Sequence, residues 1–444
     1  MTDLLSIGAS GLRAYRDALG TTSDNIANAQ TAGYVRRSVR LEEAVGGGSS
    51  ALYVASVSPG GVLVDGIQRS IDQWLVEDSR VSISNADRSG SRLAWLGATE
   101  RALNEGPYGV GSATTSVFNA ADSLAADPSN ISARMAFIEA VAAAAGTFQG
   151  TAGKLNSVSL GIADAAAANV SQVNSDVVAL NRVNEGLLRA REGSTSHASL
   201  LDERDRLLDS LAGALPIKIT YNGQGAAAVS VSTSSGSLQL LNSPISSTLS
   251  VDAAPDGRLT FALGGTQFGG GTGSLAGLRA AADTNAEKRE QLDRLALQFA
   301  NELNSAHQSG YDSNGNPGHP LLSFSGSALS MVAVALTPSQ IAAAGASSDN
   351  ANVLAMSSLR GTGGVEQGWT QLAAVHAQAV ASAKAENSAA SSRREGALQA
   401  RSELSGVDLD REAAELLRFQ QAYEASARVI QVAREAFQSI LNAL

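Results

Sequence analysis

The strongest constraint on the fold is a seven-residue repeat of large apolar side chains at the start of the chain. Its members, each seven residues after the last, are Leu5, Leu12, Leu19 and Ile26. A companion set follows three residues after each of them: Gly8, Tyr15, Thr22 and Ala29. Alternating steps of three and four residues place both sets on one narrow face of an α-helix. Such a narrow seam is typical of a helix that pairs with another helix, because a helix on a globular core usually has a wider apolar face.

The same repeat occurs near the other end of the chain. Its members at seven-residue intervals are Leu409, Leu416, Tyr423, Ile430 and Phe437, and the companion set is Ala413, Gln420, Ala427, Arg434 and Leu441. Two narrow seams at opposite ends predict terminal coiled-coil helices that pair with each other or with copies of themselves in an assembly. The alternative is that both are ordinary amphipathic helices packed on a globular core.

Between these ends, the sequence predicts helices interrupted by one β-rich stretch. Helical patterns cover residues 71–105, 128–148, 155–192, 200–215 and 275–307, and a mainly helical pattern resumes at residue 350. From residue 217 to residue 263, large apolar residues alternate with small polar ones and turn residues separate the runs, which is typical of short strands. We therefore predict a mainly α fold, a long helical bundle with N- and C-terminal coiled-coil helices and an inserted small β-domain.

The predicted domain boundaries follow these patterns. Residues 1–44 and 400–444 form a terminal coiled-coil domain, residues 45–215 and 275–399 form a helical bundle, and residues 216–274 form the inserted β-domain. Because aromatic residues make up only 4% of the chain, we expect cores built from small side chains.

Composition excludes several classes of partner. The net charge of −10 provides no cationic surface for sequence-independent binding of nucleic acid. We find no run of about 18 apolar residues that would span a bilayer, and no basic opening of a Sec-type signal. The chain has no cysteine, which excludes disulfides and zinc-thiolate sites. We expect a protein that binds neither nucleic acid nor membrane and that is exported, if at all, without a cleaved signal.

No motif for a metal or a phosphate group is complete. Asp312, Asn314 and Asn316 are spaced like the first ligands of an EF-hand loop, but Pro317 occupies the position that needs glycine. A capped turn is the better prediction. The glycine-rich run at residues 264–273 lacks the Gly-Lys-Ser/Thr ending of a phosphate-binding loop.

No set of catalytic side chains is visible either. The four histidines have no metal-ligand spacing, and we expect them at the surface or as caps: His197, His307, His319 and His376. The segment 202–209 mixes aspartate, glutamate and arginine, which predicts a solvated, ion-paired helical face. We therefore predict no catalytic, cofactor-binding or metal-binding residues.

Residues 25–36 resemble the signature shared by the rod, hook and hook-associated proteins of the bacterial flagellum. The matching positions are Asn25, Ile26, Asn28, Gly33, Tyr34 and Arg36, whereas Gln30 and Ala32 depart from the usual Asn and Pro. The motif ends a helix, since Asn28 and Gly33 tolerate the left-handed backbone that a sharp turn requires.

The C-terminal segment resembles the same family. Residues 405–425, with Phe419 and Gln420 at motif positions, are similar to its C-terminal motif in the form typical of the hook-associated members. Segments 118–148, 200–216, 310–317 and 349–356 agree with those members. The resemblance covers nearly the whole chain and is weakest in the β-domain.

This resemblance implies a structural subunit that is exported by the flagellar type III apparatus to the extracellular flagellum and has no enzymatic activity or cofactor. It implies a place at the hook-filament junction, beside the hook protein and hook-associated protein 3, and self-association in a ring or helical layer. It also implies a cytoplasmic export chaperone at the C-terminal region. We expect the assembly interface to consist of the two repeats: Leu5, Leu12, Leu19, Ile26, Leu409, Leu416, Tyr423, Ile430, Phe437 and Leu441.

Two other interpretations remain. Another axial subunit, a rod or hook protein, would share the terminal motifs but not the interior segments. An enzyme, such as a cell-wall hydrolase associated with the rod, would need a carboxylate pair or a metal site that the sequence does not show.

Overall fold

The computed structural model describes residues 2–44, 60–103, 106–233, 236–345, 349–361 and 363–443, with the side chains of residues 2, 3, 441 and 443 outside that description. The helices are α1 (Thr2–Ala27), α2 (Gln73–Leu103), α3 (Val110–Ala126), α4 (Ile131–Arg189), α5 (Thr195–Ala214), α6 (Ser274–Gln308), α7 (Ala351–Ser357), α8 (Val365–Ser405) and α9 (Leu409–Ala443). The strands are β1 (Arg37–Glu43), β2 (Val62–Arg69), β3 (Ile217–Tyr221), β4 (Ala227–Thr233), β5 (Gly236–Asn242), β6 (Ile245–Ser246), β7 (Leu249–Ala253), β8 (Leu259–Leu263), β9 (Thr266–Phe268), β10 (Leu322–Ser323) and β11 (Val332–Ala333).

The chain forms two compact units, each assembled from separate stretches of sequence. Unit 1 comprises residues 1–84, 173–248 and 391–444, and unit 2 comprises residues 85–172 and 249–390. This division differs from the predicted one. The expected β-domain at residues 216–274 is divided, because Asn184 of α4 hydrogen-bonds both backbone groups of Ala227 in β4, whereas Arg289 of α6 donates to the Asp256 carbonyl between β7 and β8.

Unit 1 combines the two terminal helices with two small sheets. Strands β1 and β2 form an antiparallel hairpin that pairs Val39 with Ile67 and is interrupted by an irregularity after Arg40. Strands β3 to β6 form a four-stranded antiparallel sheet in chain order. Its inner face buries Val229 and Val231. Neither β1 nor β2 was predicted from the sequence.

Unit 2 contains a larger core than the composition led us to expect. Five aromatic side chains in it are almost completely buried: Phe118, Phe137, Phe148, Phe299 and Trp369. The Phe148 and Phe299 rings stack at a centroid distance of 5.6 Å. The expectation of cores made only of small side chains is therefore wrong for this unit, because seven of the nine phenylalanines of the chain lie in it.

The predicted fold class, mainly α with a small inserted β region, is confirmed. The boundaries differ most in α4, which continues through the break predicted between residues 148 and 155. A glycine inside a helix costs only about 1 kcal/mol, so Gly150 and Gly153 do not end it. The periodicity of residues 110–126, where α3 lies, led to no helix prediction.

Helix α4 also contradicts the expectation that no stretch of the chain is apolar enough to span a bilayer. By length and composition alone, this helix meets that criterion in the described part of the chain. One such helix is weak evidence for a membrane span, because a core helix meets the same test. Phe137, Val141 and Phe148 of α4 are indeed buried in the core of unit 2.

Two glycine-to-alanine substitutions in helices of unit 2 should have opposite effects. A Cβ at Gly277 of α6 would lie 2.2 Å from the backbone oxygen of Arg88, whereas a Cβ at Gly146 of α4 would meet no atom within 4 Å. We expect Gly277→Ala to destabilise the unit by about 1–3 kcal/mol, because backbone must move. Gly146→Ala should stabilise it by about 0.5–1 kcal/mol through helix propensity. Urea unfolding measures both, and equal effects would contradict the packing at Gly277.

Candidate assembly site: the paired terminal helices

The first and last helices of the chain pack against each other in antiparallel orientation within unit 1. Three contacts along the pair establish the direction: Gly8 with Ile430, Tyr15 with Phe419, and Asn25 with Glu412. The Tyr15 and Phe419 rings have centroids 6.4 Å apart. The two terminal segments therefore pair with each other in one subunit, which is one of the two arrangements that the repeats predicted.

Small side chains on α1 allow the two helices to approach closely. Gly8, Gly11, Ala14 and Ala18 are buried. A Cβ added to Gly8 would lie 2.6 Å from Ile430 Cγ1, and a Cβ added to Gly11 would lie 2.7 Å from Ser426 Oγ. Larger residues at these positions would separate the helices, so the internal seam depends on glycine and alanine.

Asn25, at the end of α1, is the centre of a buried hydrogen-bond network. Its Nδ2 donates to the Arg37 carbonyl at 2.8 Å and to Glu412 Oε2 at 2.8 Å. Its Oδ1 accepts from the Arg37 amide at 3.0 Å and from the Tyr34 hydroxyl at 2.9 Å. Asn25 is 1% exposed, so all of these bonds form away from water, where an unpaired polar group is costly.

Glu412 joins this network from the other end of the chain. The carboxylate is 1% exposed and accepts from Arg36 Nε at 2.6 Å as well as from Asn25. The Arg36 amide also donates to the carbonyl of Ser405, the last residue of α8, at 2.8 Å. The N-terminal and C-terminal sequence motifs are therefore two halves of one buried polar cluster.

The turn after α1 brings Tyr34 back to Asn25. Asn28 Nδ2 donates to the Asp24 carbonyl at 2.9 Å, which caps the last turn of the helix, and Thr31 Oγ1 donates to Asn28 Oδ1 at 3.2 Å. Gly33 has a φ of +83°, a conformation that glycine adopts without strain. Burial raises the pKa of Tyr34 to about 12, so its hydroxyl remains a donor at neutral pH.

The companion set of the N-terminal repeat contributes to the internal seam more than the large residues do. Gly8 and Tyr15 of this set contact Ile430 and Phe419 of α9. On α1, Leu5, Leu12 and Leu19 are half-buried, and Ile26 is 36% exposed. The buried positions also include the residue before each of the last three, namely Gly11, Ala18 and Asn25. The centre of the seam is therefore shifted from the leucines toward small side chains, because close packing selects them.

The repeat on α9 is displaced in the same way. Leu416 and Ile430 are half-buried, whereas Leu409 and Phe437 are each 52% exposed and Tyr423 is 37% exposed. The motif residue Phe419 is half-buried against α1, and Gln420 is exposed. The side chain of Leu441 lies outside the described residues.

A second polar cluster, which the sequence did not predict, holds the rest of unit 1 together. Asp202, Asp205 and Asp209 lie on one face of α5, and five arginines surround them: Arg37, Arg69, Arg80, Arg204 and Arg401. We call these eight residues the Arg–Asp cluster. Its arginines come from β1, β2, α2, α5 and α8, so it connects elements that are far apart in sequence.

Direct ion pairs join the aspartates of this cluster to arginines on both strands of the β1–β2 hairpin. Asp202 accepts from Arg37 at 2.5 Å and from Arg69 at 2.8 Å, and Arg69 also donates to Asp205 at 2.7 Å. The side chain of Asp205 is 3% exposed and that of Asp202 is 12% exposed. The prediction of a solvated face is therefore wrong for these two carboxylates, although the prediction of ion pairing is correct.

Burial and the neighbouring charges act in opposite directions on these carboxylates. Burial raises the pKa of Asp205, but Arg204, Arg69 and Arg80 lower it by more, so it lies below its ordinary value of 3.8. Burial is the dominant effect on Asp202 and raises its pKa. Asp205 therefore stabilises the fold above pH 3.8, and this contribution is lost as the pH falls through its lowered folded-state pKa.

Outside these two clusters, the EF-hand-like side chains that the sequence singled out form a local turn in the described residues. We find no group of three His, Cys, Asp or Glu residues there that could hold a metal ion. The Asp312 carboxylate accepts from the amides of Asn314 and Asn316 at 2.8 Å each, which forms the capped turn that the sequence predicted.

Three of the four histidines contradict the expectation of a surface position: His197 in unit 1, and His307 and His376 in unit 2. His307 is 0% exposed and His376 is 1% exposed. His307 bonds the backbone of His319 and Ala342, and His376 bonds the Leu96 carbonyl. The rings of His307 and His376 lie inside unit 2 because backbone groups bond them.

Comparison with known families agrees with the geometry of the two ends. A model described as flagellar hook-associated protein FlgK helical domain matches residues 96–322, about half of the chain. The chain belongs to the flagellar hook-associated protein FlgK family. Models described as flagella basal body rod protein and flagellar basal body rod FlgEFG protein C-terminal match residues 5–34 and 398–443. These two segments contain α1 and α9, so this FlgK-family chain carries the axial-protein motifs on its paired helices.

Known proteins match this chain over different lengths. Flagellar hook-associated protein 1 of Bacillus subtilis is 25% identical over 99% of this chain and 98% of its own length. The protein of that name from Salmonella typhimurium is 27% identical over 73% of this chain, which spans 60% of that relative. A structure of the flagellar hook junction protein FlgK from Burkholderia pseudomallei matches 56% of this chain and 46% of its own, at 20% identity and a TM-score of 0.49.

Two isosteric substitutions on α5 should separate the buried cluster from an exposed ion pair. Asp205→Asn removes the charge that Arg69 and Arg80 face in a buried site, so we expect a loss of about 3 kcal/mol. Glu203→Gln breaks an exposed pair with Arg206 and should cost less than about 1 kcal/mol. Urea unfolding at pH 7, followed by circular dichroism, compares the two. If Asp205→Asn proves as mild as its control, the cluster does not hold unit 1 together.

Proposed function

We propose that this FlgK-family chain is the adaptor at the hook-filament junction of a bacterial flagellum and that it assembles through the outer surface of its paired terminal helices. Its role is structural, and we assign it no catalytic step. As a subunit of the extracellular flagellum, it would be exported by the flagellar type III apparatus. The family model that matches its interior is specific to hook-associated proteins, which favours this role over that of a rod or hook subunit.

The observation that carries the proposal is that most large residues of the two repeats lie beside the internal seam and remain partly exposed, although Ile430 also contacts Gly8. In an antiparallel helix pair, equivalent flanking positions of the two helices lie on the same side. Gly8 lies between Leu5 and Leu12 in the N-terminal repeat and contacts Ile430 of the C-terminal repeat. The two repeats therefore line one side of the α1–α9 pair. We call this surface the apolar flank, and it comprises Leu5, Leu12, Leu19, Ile26, Leu409, Leu416, Tyr423, Ile430 and Phe437.

The exposure of the apolar flank supports a role in assembly. Leu409 and Phe437 are each about half exposed, and both belong to a line of large side chains repeated every seven residues. Burying a side chain of this size completely contributes about 1.5–3 kcal/mol relative to exposure. Contiguous apolar surface on a single subunit marks an interaction site more often than chance exposure does. A second copy, stacked through the same surface in a ring or helical layer, is the occupant that we propose.

The remaining partners follow from the family. We propose the hook protein on one side of the layer and hook-associated protein 3 on the other, because an adaptor contacts the structures that it connects. We also propose that a cytoplasmic chaperone covers the C-terminal region before export. Exposed Val432, Phe437 and Ile440 would otherwise present apolar surface in the cytoplasm.

A matched pair of aspartate substitutions near the end of α9 tests the proposal. Phe437 lies on the apolar flank, and its neighbour Gln438 is exposed on a different face of the same turn. We expect a strain with Phe437→Asp to make hooks without filaments and to release filament subunits into the medium, because a carboxylate would be buried in the junction. The Gln438→Asp strain should grow filaments. Electron microscopy of the cells and protein analysis of the medium provide the measurements.

The design separates failed assembly from failed folding. Both substitutions replace exposed side chains, so each should change the stability of the purified subunit by about 0.5 kcal/mol or less. Ile430 is less suitable, because it packs on Gly8 inside the subunit. Normal flagellation of the Phe437→Asp strain would show that the apolar flank is not an assembly surface. A strain without hooks, after deletion of the whole chain, would indicate a rod subunit instead.

A further inference from the structure

His307 connects three separate segments of unit 2. It lies in the last turn of α6 and is 0% exposed. Its Nδ1 is 2.5 Å from the carbonyl oxygen of His319, and its Nε2 accepts a hydrogen bond from the Ala342 amide at 2.9 Å. Because a carbonyl oxygen only accepts and an amide only donates, this arrangement fits one species: a neutral imidazole with its hydrogen on Nδ1.

Residues 338–344, which we call the strap, pass over His307. Arg134 of α4 donates through Nη1 to the carbonyls of Pro338 and Ile341, at 2.9 and 2.8 Å. Asn352 of α7 donates to the Ala342 carbonyl at 2.7 Å. Of these side chains, only His307 bonds a strap amide, and only His307 changes its charge near neutral pH.

The strap also forms one wall of a cleft. The cleft has a volume of about 1030 Å³, and its lining includes Arg134, Tyr311, Pro338 and Ala344. Tyr311 and Ala344 exchange backbone hydrogen bonds at 2.8 and 3.3 Å across it. A displacement of the strap would therefore change the width of this cleft.

We propose that His307 is a proton-sensitive latch: protonation of its Nε2 breaks the bond to the Ala342 amide, releases the strap and opens the cleft beside Arg134. Protonated Nε2 would carry a hydrogen that points at another hydrogen-bond donor, in a site that is fully buried. The latch is closed when the imidazole is neutral. This device is independent of the assembly role proposed for the terminal helices.

The surroundings of His307 favour the closed, neutral form. Burial lowers its pKa below the ordinary value of 6.5, the bond to the His319 carbonyl raises it, and the side chain of His319 lowers it again. His319 is the titratable side chain that acts on His307 in the described part of unit 2. No carboxylate in the described part of unit 2 offsets a positive charge on the ring. Protonation therefore destabilises the contact between the ring and the strap.

The direction of the pH dependence follows from linkage. The open state binds a proton at a pKa of about 6.5, and the closed state binds it only at a lower pH. Closure is therefore strongest above pH 6.5. Between that value and the lowered pKa of the closed state, the open fraction should rise about tenfold for each unit by which the pH falls.

Amide hydrogen exchange of the full-length protein between pH 7.5 and pH 4.5, corrected for intrinsic exchange rates, tests the latch. We expect the Ala342 amide to lose protection about tenfold per pH unit below pH 6.5. His307→Gln should abolish this dependence, because its side-chain amide can donate to His319 and accept from Ala342 without titrating. His319→Gln, a change at an exposed histidine of the same loop, should leave the dependence in place.

Titration of histidine nitrogen resonances in the wild type provides an independent measurement if His307→Gln does not fold. The proton uptake of His307 should then coincide with the loss of protection at Ala342. Full protection of Ala342 in the range where His307 is protonated would overturn the proposal. So would a parallel loss in His307→Gln, or an equal loss around His376 in α8, since the unit would then open as a whole.

Discussion

The buried bond between Glu412 and the end of α1 is the interaction on which the arrangement of unit 1 depends. A carboxylate that is 1% exposed is strongly destabilising unless it is paired, and here it has Arg36 and Asn25 as partners. Asn25 reaches it from α1 itself, and Arg36 reaches it because the chain turns at Gly33 after this helix. This requirement explains why a motif near residue 30 and a motif near residue 410 occur in the same chain. Each supplies half of one polar cluster.

The Arg–Asp cluster extends the same principle across the rest of the unit. Removing one partner of a buried ion pair costs more than the pair contributes relative to apolar residues, so such clusters select one arrangement over alternatives. Here the aspartates of α5 are shared by arginines from residue 37 to residue 401. Unit 1 is therefore complete only when three distant stretches of sequence are together.

The sequence predicted the elements of this protein better than their contacts. Most helices and the strands between residues 217 and 263 followed from periodicity, because one face of each is apolar at a regular spacing. The phase of the terminal seam followed only in part, since Gly8 belongs to the predicted repeat whereas Gly11, where close approach also requires a small residue, does not. The burial of Asp205 was also missed. One signal was available, because Asp202, Asp205 and Asp209 share a helix face, but their arginine partners are too distant in sequence to identify.

In the assembly that we propose, the same difference in phase leaves a surface for a neighbouring subunit. A chain that buried Leu12 and Phe437 in its own helix pair would gain stability as a monomer and lose the surface that a neighbour could cover. This chain instead closes its pair largely with glycine, alanine and polar bonds, together with the contact between Tyr15 and Phe419. The large side chains are then held in register on one side of a defined pair. An interface prepared in this way loses less conformational entropy when a second copy binds, because the helices are already ordered.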